Sequence, residues 1–188
     1  RDGRAALMER CRMVFSGSGG QGVITASIIL AEAAVLYEEL NAVQSQSYGA
    51  EARGGSTRSD VIISDSTIDY PKVIQPNVLV CLTQDAYNKF YQIIRPGGLL
   101  ITDARFVKTQ KKVDAQQREL PMYEGVIKKI GKPIVFNICM LGSLIRMTEL
   151  LTPESIMKVL ETRITPDFLD MNRQALDLGL ALGEQFKP

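Results

Sequence analysis

Two short stretches of this sequence combine residue types able to hold a ligand. The first, Gly17-Ser18-Gly19-Gly20-Gln21-Gly22, has the G-x-G-x-x-G spacing between a short strand-like run, Arg12 to Ser16, and a helix-favouring stretch that begins at Val23. Glycines there would let the backbone approach a phosphate, and free amides at a helix start favour negative charge. The same glycines could instead serve only close packing of a strand on a helix. The second stretch, Ser47 to Ser56, gathers Tyr48, Gly49, Glu51, Arg53, Gly54 and Gly55. Arg53 can form a bidentate pair with a carboxylate or phosphate, Tyr48 offers a stacking face, and Glu51 can pair with Arg53 or with another chain. The competing reading is a surface turn in which Glu51 and Arg53 neutralise each other.

A dinucleotide site makes a second demand, an acid near the end of the next strand to hold the ribose hydroxyls. Asn41 to Ser47 contains no carboxylate, and Glu38 and Glu39 fall too early. NAD or FAD binding is therefore disfavoured. The chain has no histidine, which excludes a Ser-His-Asp triad, a Cys-His pair and any His-ligated metal. Cys11, Cys81 and Cys139 are scattered without a Cys-x-x-Cys, so this chain alone cannot build an iron-sulfur cluster, and they read as reduced, buried thiols of a cytoplasmic protein. A stand-alone dehydrogenase lacks both its proton donor and its cofactor acid.

The elements that must position these stretches follow from periodicity and turn chemistry. Arg12 to Ser16 predicts a strand and Val23 to Leu40 a helix that is apolar on nearly every face, so that a second surface, expected at a subunit boundary, should cover it. Extended segments are expected at Asn41 to Tyr48, Thr57 to Ser64, Val78 to Leu82 and Leu99 to Asp103. Thr83 should cap a helix over Gln84 to Ile94, Gly131 should close one over Tyr123 to Ile130, and Thr152-Pro153 should start another. Val135 to Leu150 and Asp167 to Phe186 complete a helical C-terminal third. Strands alternating with helices predict a Rossmann-like α/β domain over 1–188, a largely parallel sheet flanked by helices. Asp103, at a strand end, is expected to cap the following turn.

With 188 residues, 45% of them hydrophobic, the chain suits one domain with its own core, and 22 basic against 21 acidic residues give no electrostatic case for nucleic acid. Arg1 to Arg12 lacks a signal-peptide core, and the glycine-rich turn interrupts the only long charge-free stretch, so neither export nor a membrane span is expected. The apolar helix from Val23 and the apolar C-terminal third predict that the isolated chain self-associates, up to a homodimer, or is poorly soluble.

Gly19-Gly20-Gln21-Gly22-Val23 together with Ser47-Tyr48-Gly49-x-Glu51-x-Arg53-Gly54-Gly55 resembles the gamma subunit of 2-oxoacid:ferredoxin oxidoreductases. The resemblance continues through Asp60 to Ser64, Ile68 to Pro71, Gln84 to Tyr87, Pro96 to Gly98, Asn137, Leu141-Gly142 and Asn172. The form Gln44 to Gly49 is more similar to the 2-oxoglutarate branch; Ala50 stands where many relatives carry proline. The resemblance implies a non-redox subunit of an enzyme that turns a 2-oxoacid and coenzyme A into an acyl-CoA and passes electrons to ferredoxin or a similar acceptor. It implies partner alpha, beta and delta subunits, with thiamine diphosphate, magnesium and iron-sulfur clusters on those chains. It also implies a gamma domain that helps hold coenzyme A, with no catalytic residue of its own. An independent nucleotide- or coenzyme-A-binding module is the alternative.

Overall fold

A computed structural model describes residues 10–47, 55–109 and 112–188. Twelve elements follow one another: β1 (Cys11–Gly17), α1 (Val23–Tyr37), β2 (Asn41–Gln46), β3 (Thr57–Ser64), β4 (Val78–Cys81), α2 (Gln84–Phe90), β5 (Gly98–Asp103), β6 (Ala115–Leu120), α3 (Met122–Lys129), α4 (Phe136–Thr148), α5 (Pro153–Arg163) and α6 (Pro166–Gln185). The six strands form one sheet in the order β2-β3-β1-β4-β5-β6. β1, β4, β5 and β6 pair in parallel, whereas β3 runs antiparallel to both β1 and β2. Only β3 therefore opposes the common direction, and the expected largely parallel sheet stands with one reversed strand in it.

The central strands are apolar on both faces because both faces are covered. On one face Met13, Phe15, Val61, Ile63, Val80 and Ile101 pack under the helices of the larger core. On the other, Val14, Ile62, Leu79 and Leu100 meet Tyr87, Phe90 and Ile94 around α2. Thr83 caps α2 as expected, accepting from Ala86 N at 3.1 Å, and Gly131 adopts a φ of 74° just beyond α3. Thr152 caps α5, with Pro153 at its first turn.

Two expectations are corrected, and one strand has no counterpart among them. α1 stops at Tyr37, short of Leu40, because Glu39 turns the chain with a φ of 55°. The surface that covers α1 belongs in good part to this chain, since α1 is packed against α4 and α5 as well as the sheet, and only its last turn leaves Val35, Leu36 and Tyr37 exposed. β6 went unpredicted: Ala115–Leu120 is polar, lies at the sheet edge, and buries only Leu120.

Candidate functional site

The register of the sheet brings one end of every strand to a common rim. Gly17 sits opposite Thr57, Ser16 opposite Cys81, Cys81 opposite Thr102, Asp103 opposite Leu120 and Gln46 opposite Ser59. The carboxyl ends of β1, β2, β4, β5 and β6 thus meet the start of β3. Open α/β sheets bind ligands outside this end. The glycine turn leaves the sheet here at Gly17, and the chain leaves at Ser47 and returns at Thr57 on the same rim. Ser16 Oγ donates to Thr57 O at 2.8 Å and Thr57 Oγ1 to Gly17 O at 3.0 Å, which fastens the two departures together. Of the second stretch, Gly55 is exposed with a φ of 84°; Tyr48, Gly49, Glu51, Arg53 and Gly54 lie outside the described residues.

The turn from Ser18 to Gly22 is built around Gln21. Gln21 Oε1 accepts from Ser18 N at 2.9 Å, and Gln21 Nε2 donates to the carbonyl of Leu82, just past β4, at 3.0 Å. The backbone closes further as Gln21 N donates to Ser18 O at 3.2 Å. Asn137, in the first turn of α4, donates through Nδ2 to Gly22 O at 3.1 Å and is 7% exposed. Gln21 thus spends both ends of its amide inside the chain, and the amides of Ser18 and Gln21 are occupied.

The four glycines of the motif divide into two kinds. A Cβ on Gly17 would strike Gln21 Oε1 and come within 2.9 Å of Val23 Cγ2, and one on Gly22 would come within 2.7 Å of Asn137 Nδ2. Gly22 also has a φ of 70°, which favours glycine. Those two make room for the braces. A Cβ on Gly19 or Gly20 would meet nothing within 4 Å, and both residues are exposed. No neighbour within the described residues explains them by close packing, so the tip of the turn is bare backbone facing outward.

The dinucleotide reading weakens further on topology. The acid it requires ends the strand that follows β1 in sequence and lies parallel beside it, but on that side of β1 stands the reversed β3, and β2 lies one strand further out. The nearest acid on β3, Asp60, is 4% exposed and already accepts from Arg58 Nε at 2.8 Å and Val73 N at 3.0 Å.

Elsewhere on the rim, Asp103 caps as expected but across a longer span. Its Oδ1 accepts from Arg105 N and its Oδ2 from Tyr123 N in the first turn of α3, both at 2.9 Å. Burial pushes its carboxyl up from the ordinary aspartate range, against the pull of these backbone amides. Phe106, Tyr123 and Phe136 meet edge to face beside it, with Arg105 over the Tyr123 ring. All three cysteines are buried and unpaired in disulfides. Three clefts, one of about 490 Å³ lined by Lys129, Ile130, Gln174, Asp177, Leu178 and Ala181, lie among the helices and include no residue of the glycine turn.

In the sequence, Gln21 falls within a motif able to hold a ligand, and Asn137 stands out only through the family resemblance. The Ser18-x-x-Gln21 spacing is a local signal for the bond to Ser18 N, but nothing local signals the other two, because Leu82 lies 61 residues and Gly22 115 residues from its partner.

Fold and rim define an α/β domain whose sheet brings five carboxyl strand ends and the glycine turn to one side. A family model described as pyruvate ferredoxin/flavodoxin oxidoreductase matches residues 12–182, and the chain belongs to that family. The 2-oxoglutarate synthase subunit KorC of Methanocaldococcus jannaschii is 43% identical over 172 residues, which is 90% of this chain and 92% of the relative. The gamma subunit of a keto/oxoacid ferredoxin oxidoreductase from Geobacter sulfurreducens has the same fold, with a TM-score of 0.88 at 36% identity, covering 95% of this chain and 99% of that one. The fold recurs at 21% identity and a TM-score of 0.84 in the 2-oxoglutarate:ferredoxin oxidoreductase of Magnetococcus marinus, solved with 2-oxoglutarate, coenzyme A and succinyl-CoA bound. That match covers 94% of this chain and 31% of the other. The gamma-subunit resemblance drawn from the motifs therefore holds along most of the chain, and the chain is an oxidoreductase subunit.

Proposed function

We propose that this chain is the gamma-type subunit of a cytoplasmic enzyme that converts 2-oxoglutarate and coenzyme A to succinyl-CoA and carbon dioxide, passing two electrons to ferredoxin or a similar acceptor. Its part is to supply one wall of the coenzyme A site where it meets its partner chains. The observation that carries this reading is the bare tip of the turn. Gly19 and Gly20 meet no other part of the described chain where their side chains would be, so the missing Cβ atoms leave room for something outside it. A pyrophosphate-bearing ligand suits such a surface, since it can lie against backbone that no side chain screens.

The 2-oxoglutarate branch is supported by the KorC likeness and by the form of Gln44 to Gly49. Thiamine diphosphate, magnesium and the iron-sulfur clusters belong, in this reading, to alpha, beta and delta subunits. The three buried, separated thiols of this chain agree with that division. Among the described residues, no helix is long and apolar enough to cross a membrane.

The test is a coenzyme A titration of the assembled enzyme. Gly20→Val and Arg53→Ala should each raise the apparent KM for coenzyme A by about tenfold or more, a loss of about 1.4 kcal/mol of binding. Unchanged affinity and turnover in both variants would reduce the two loops to scaffolding. Oxidation of 2-oxoglutarate by the purified chain alone would refute the subunit role.

A further inference from the structure

We propose that Gln21 and Asn137 are positioning residues for coenzyme A, holding the glycine tip in one conformation without touching the ligand. The inference rests on the reading of the tip given above and assigns it a supporting shell. Gln21 ties the turn to β4 through Leu82 O and to its own start through Ser18 N. Asn137 ties the end of the turn, Gly22, to α4. Both flanks are fixed by side-chain amides that reach other elements, while the two residues between them, Gly19 and Gly20, have no Cβ contact to fix them.

The division of labour among the glycines supports this arrangement. Gly17 and Gly22 lack the Cβ that would displace Gln21 Oε1 and Asn137 Nδ2, so each makes space for one brace. Side-chain packing would normally restrain a turn, but the exposed tip has none. Its geometry must be set from the flanks, and a site held close to its binding geometry in advance binds with less ordering cost. Asn137 brings α4 into the same arrangement, since Gly22 O accepts from both Asn137 Nδ2 and the amide of Ala26 in α1. A shift of α4 relative to α1 would therefore be felt at the tip.

The experiment is steady-state kinetics of the assembled enzyme carrying Gln21→Met, Gln21→Glu, Asn137→Asp or Gly20→Val, with coenzyme A and the 2-oxoacid varied in turn. Gln21→Met keeps the length of the side chain and removes both hydrogen bonds. Gln21→Glu keeps the acceptor for Ser18 N and loses the donor to Leu82 O. Asn137→Asp keeps the size, suits a helix start and removes the donor to Gly22 O.

The expected result is a KM for coenzyme A raised about tenfold by Gln21→Met and Asn137→Asp and by less in Gln21→Glu, with kcat and the KM for the 2-oxoacid within about twofold. A KM for coenzyme A that stays put, or that moves in step with the KM for the 2-oxoacid, overturns the inference, because the braces would then serve the fold alone. If Gly20→Val raises the KM for coenzyme A and the brace variants do not, only the positioning role falls. If Gly20→Val also has no effect, the reading of the tip falls with it. Should Gln21→Met fail to assemble, Gln21→Glu and Asn137→Asp decide by the same readout.

Discussion

Glu38 caps α5 from the far end of α1: its Oε1 lies 2.9 Å from the backbone nitrogen of Thr152. The same oxygen accepts from Thr152 Oγ1 at 2.9 Å and from Ser155 Oγ at 2.7 Å. A carboxylate at a helix N-terminus meets both unpaired N–H groups and the positive end of the helix dipole. Loss of a cap costs about 0.5–2 kcal/mol. Glu38→Ala should therefore lower the unfolding free energy by about 1–2 kcal/mol, read as a shift in the denaturant midpoint at constant slope. Glu38→Gln should recover part of this, since its carbonyl can still accept. An unchanged midpoint in Glu38→Ala would mean that Thr152 alone suffices.

A second prediction separates glycines that the fold needs from those it does not. α6 approaches α4 so closely that a Cβ on Gly179 would collide with Cys139 O, and one on Gly142 with Leu176 O. Gly179→Ala has no flexible neighbour to push aside, and such overpacking costs about 1–3 kcal/mol. Gly19→Ala, in open space, should change stability by about 0.5 kcal/mol or less. Thermal unfolding of the two variants side by side gives the contrast, and equal losses would contradict the packing described.

What the sequence revealed follows from how far each signal reaches. Thr83, Gly131 and Thr152-Pro153 act on backbone within a few residues, so those helix ends were legible. The buried strands Val78–Cys81 and Gly98–Asp103 announce themselves as apolar runs, and alternation with helices implied a common carboxyl rim. β6 carries no such pattern, because an edge strand with a single buried residue needs none. The reversal of β3 was hidden for another reason: the direction of a strand depends on its partners in space, which periodicity does not report. The site was legible in the same measure. The glycine turn could be found, but its long-range braces could not, since Leu82 and Asn137 are neighbours of the turn only once the sheet and α4 have assembled.

Thiol reactivity offers a third prediction. Burial pushes the thiols of Cys11 and Cys139 up to about 12 and that of Cys81 higher still. The thiolate is the reactive form, and these three have neither the charge nor the access. The folded chain should consume no iodoacetamide at mildly alkaline pH, while all three cysteines of the sequence should react once it is denatured. Mass spectrometry counts the adducts. Rapid labelling of the native chain at any of the three would show that the core around it opens more readily than the packing implies.

The last prediction concerns pH. Asp103 is fully buried and its carboxyl is raised, chiefly by desolvation, so the folded state holds its proton more tightly than the unfolded chain does. A raised carboxyl contributes stability that is fully present below the unfolded aspartate range and is lost as pH climbs through the folded value. The Glu32–Arg163 pair works in the opposite sense, since the bond to Arg163 lowers the Glu32 carboxyl, but that pair is half-exposed and is present in any Asp103 variant. Comparison with Asp103→Asn therefore cancels it. The unfolding free energy of the native chain minus that of Asp103→Asn should fall as pH rises from the acid range to neutrality. A difference that rises over that range would mean that the amides of Arg105 and Tyr123 outweigh burial, and that Asp103 is held as a firmly ionised cap.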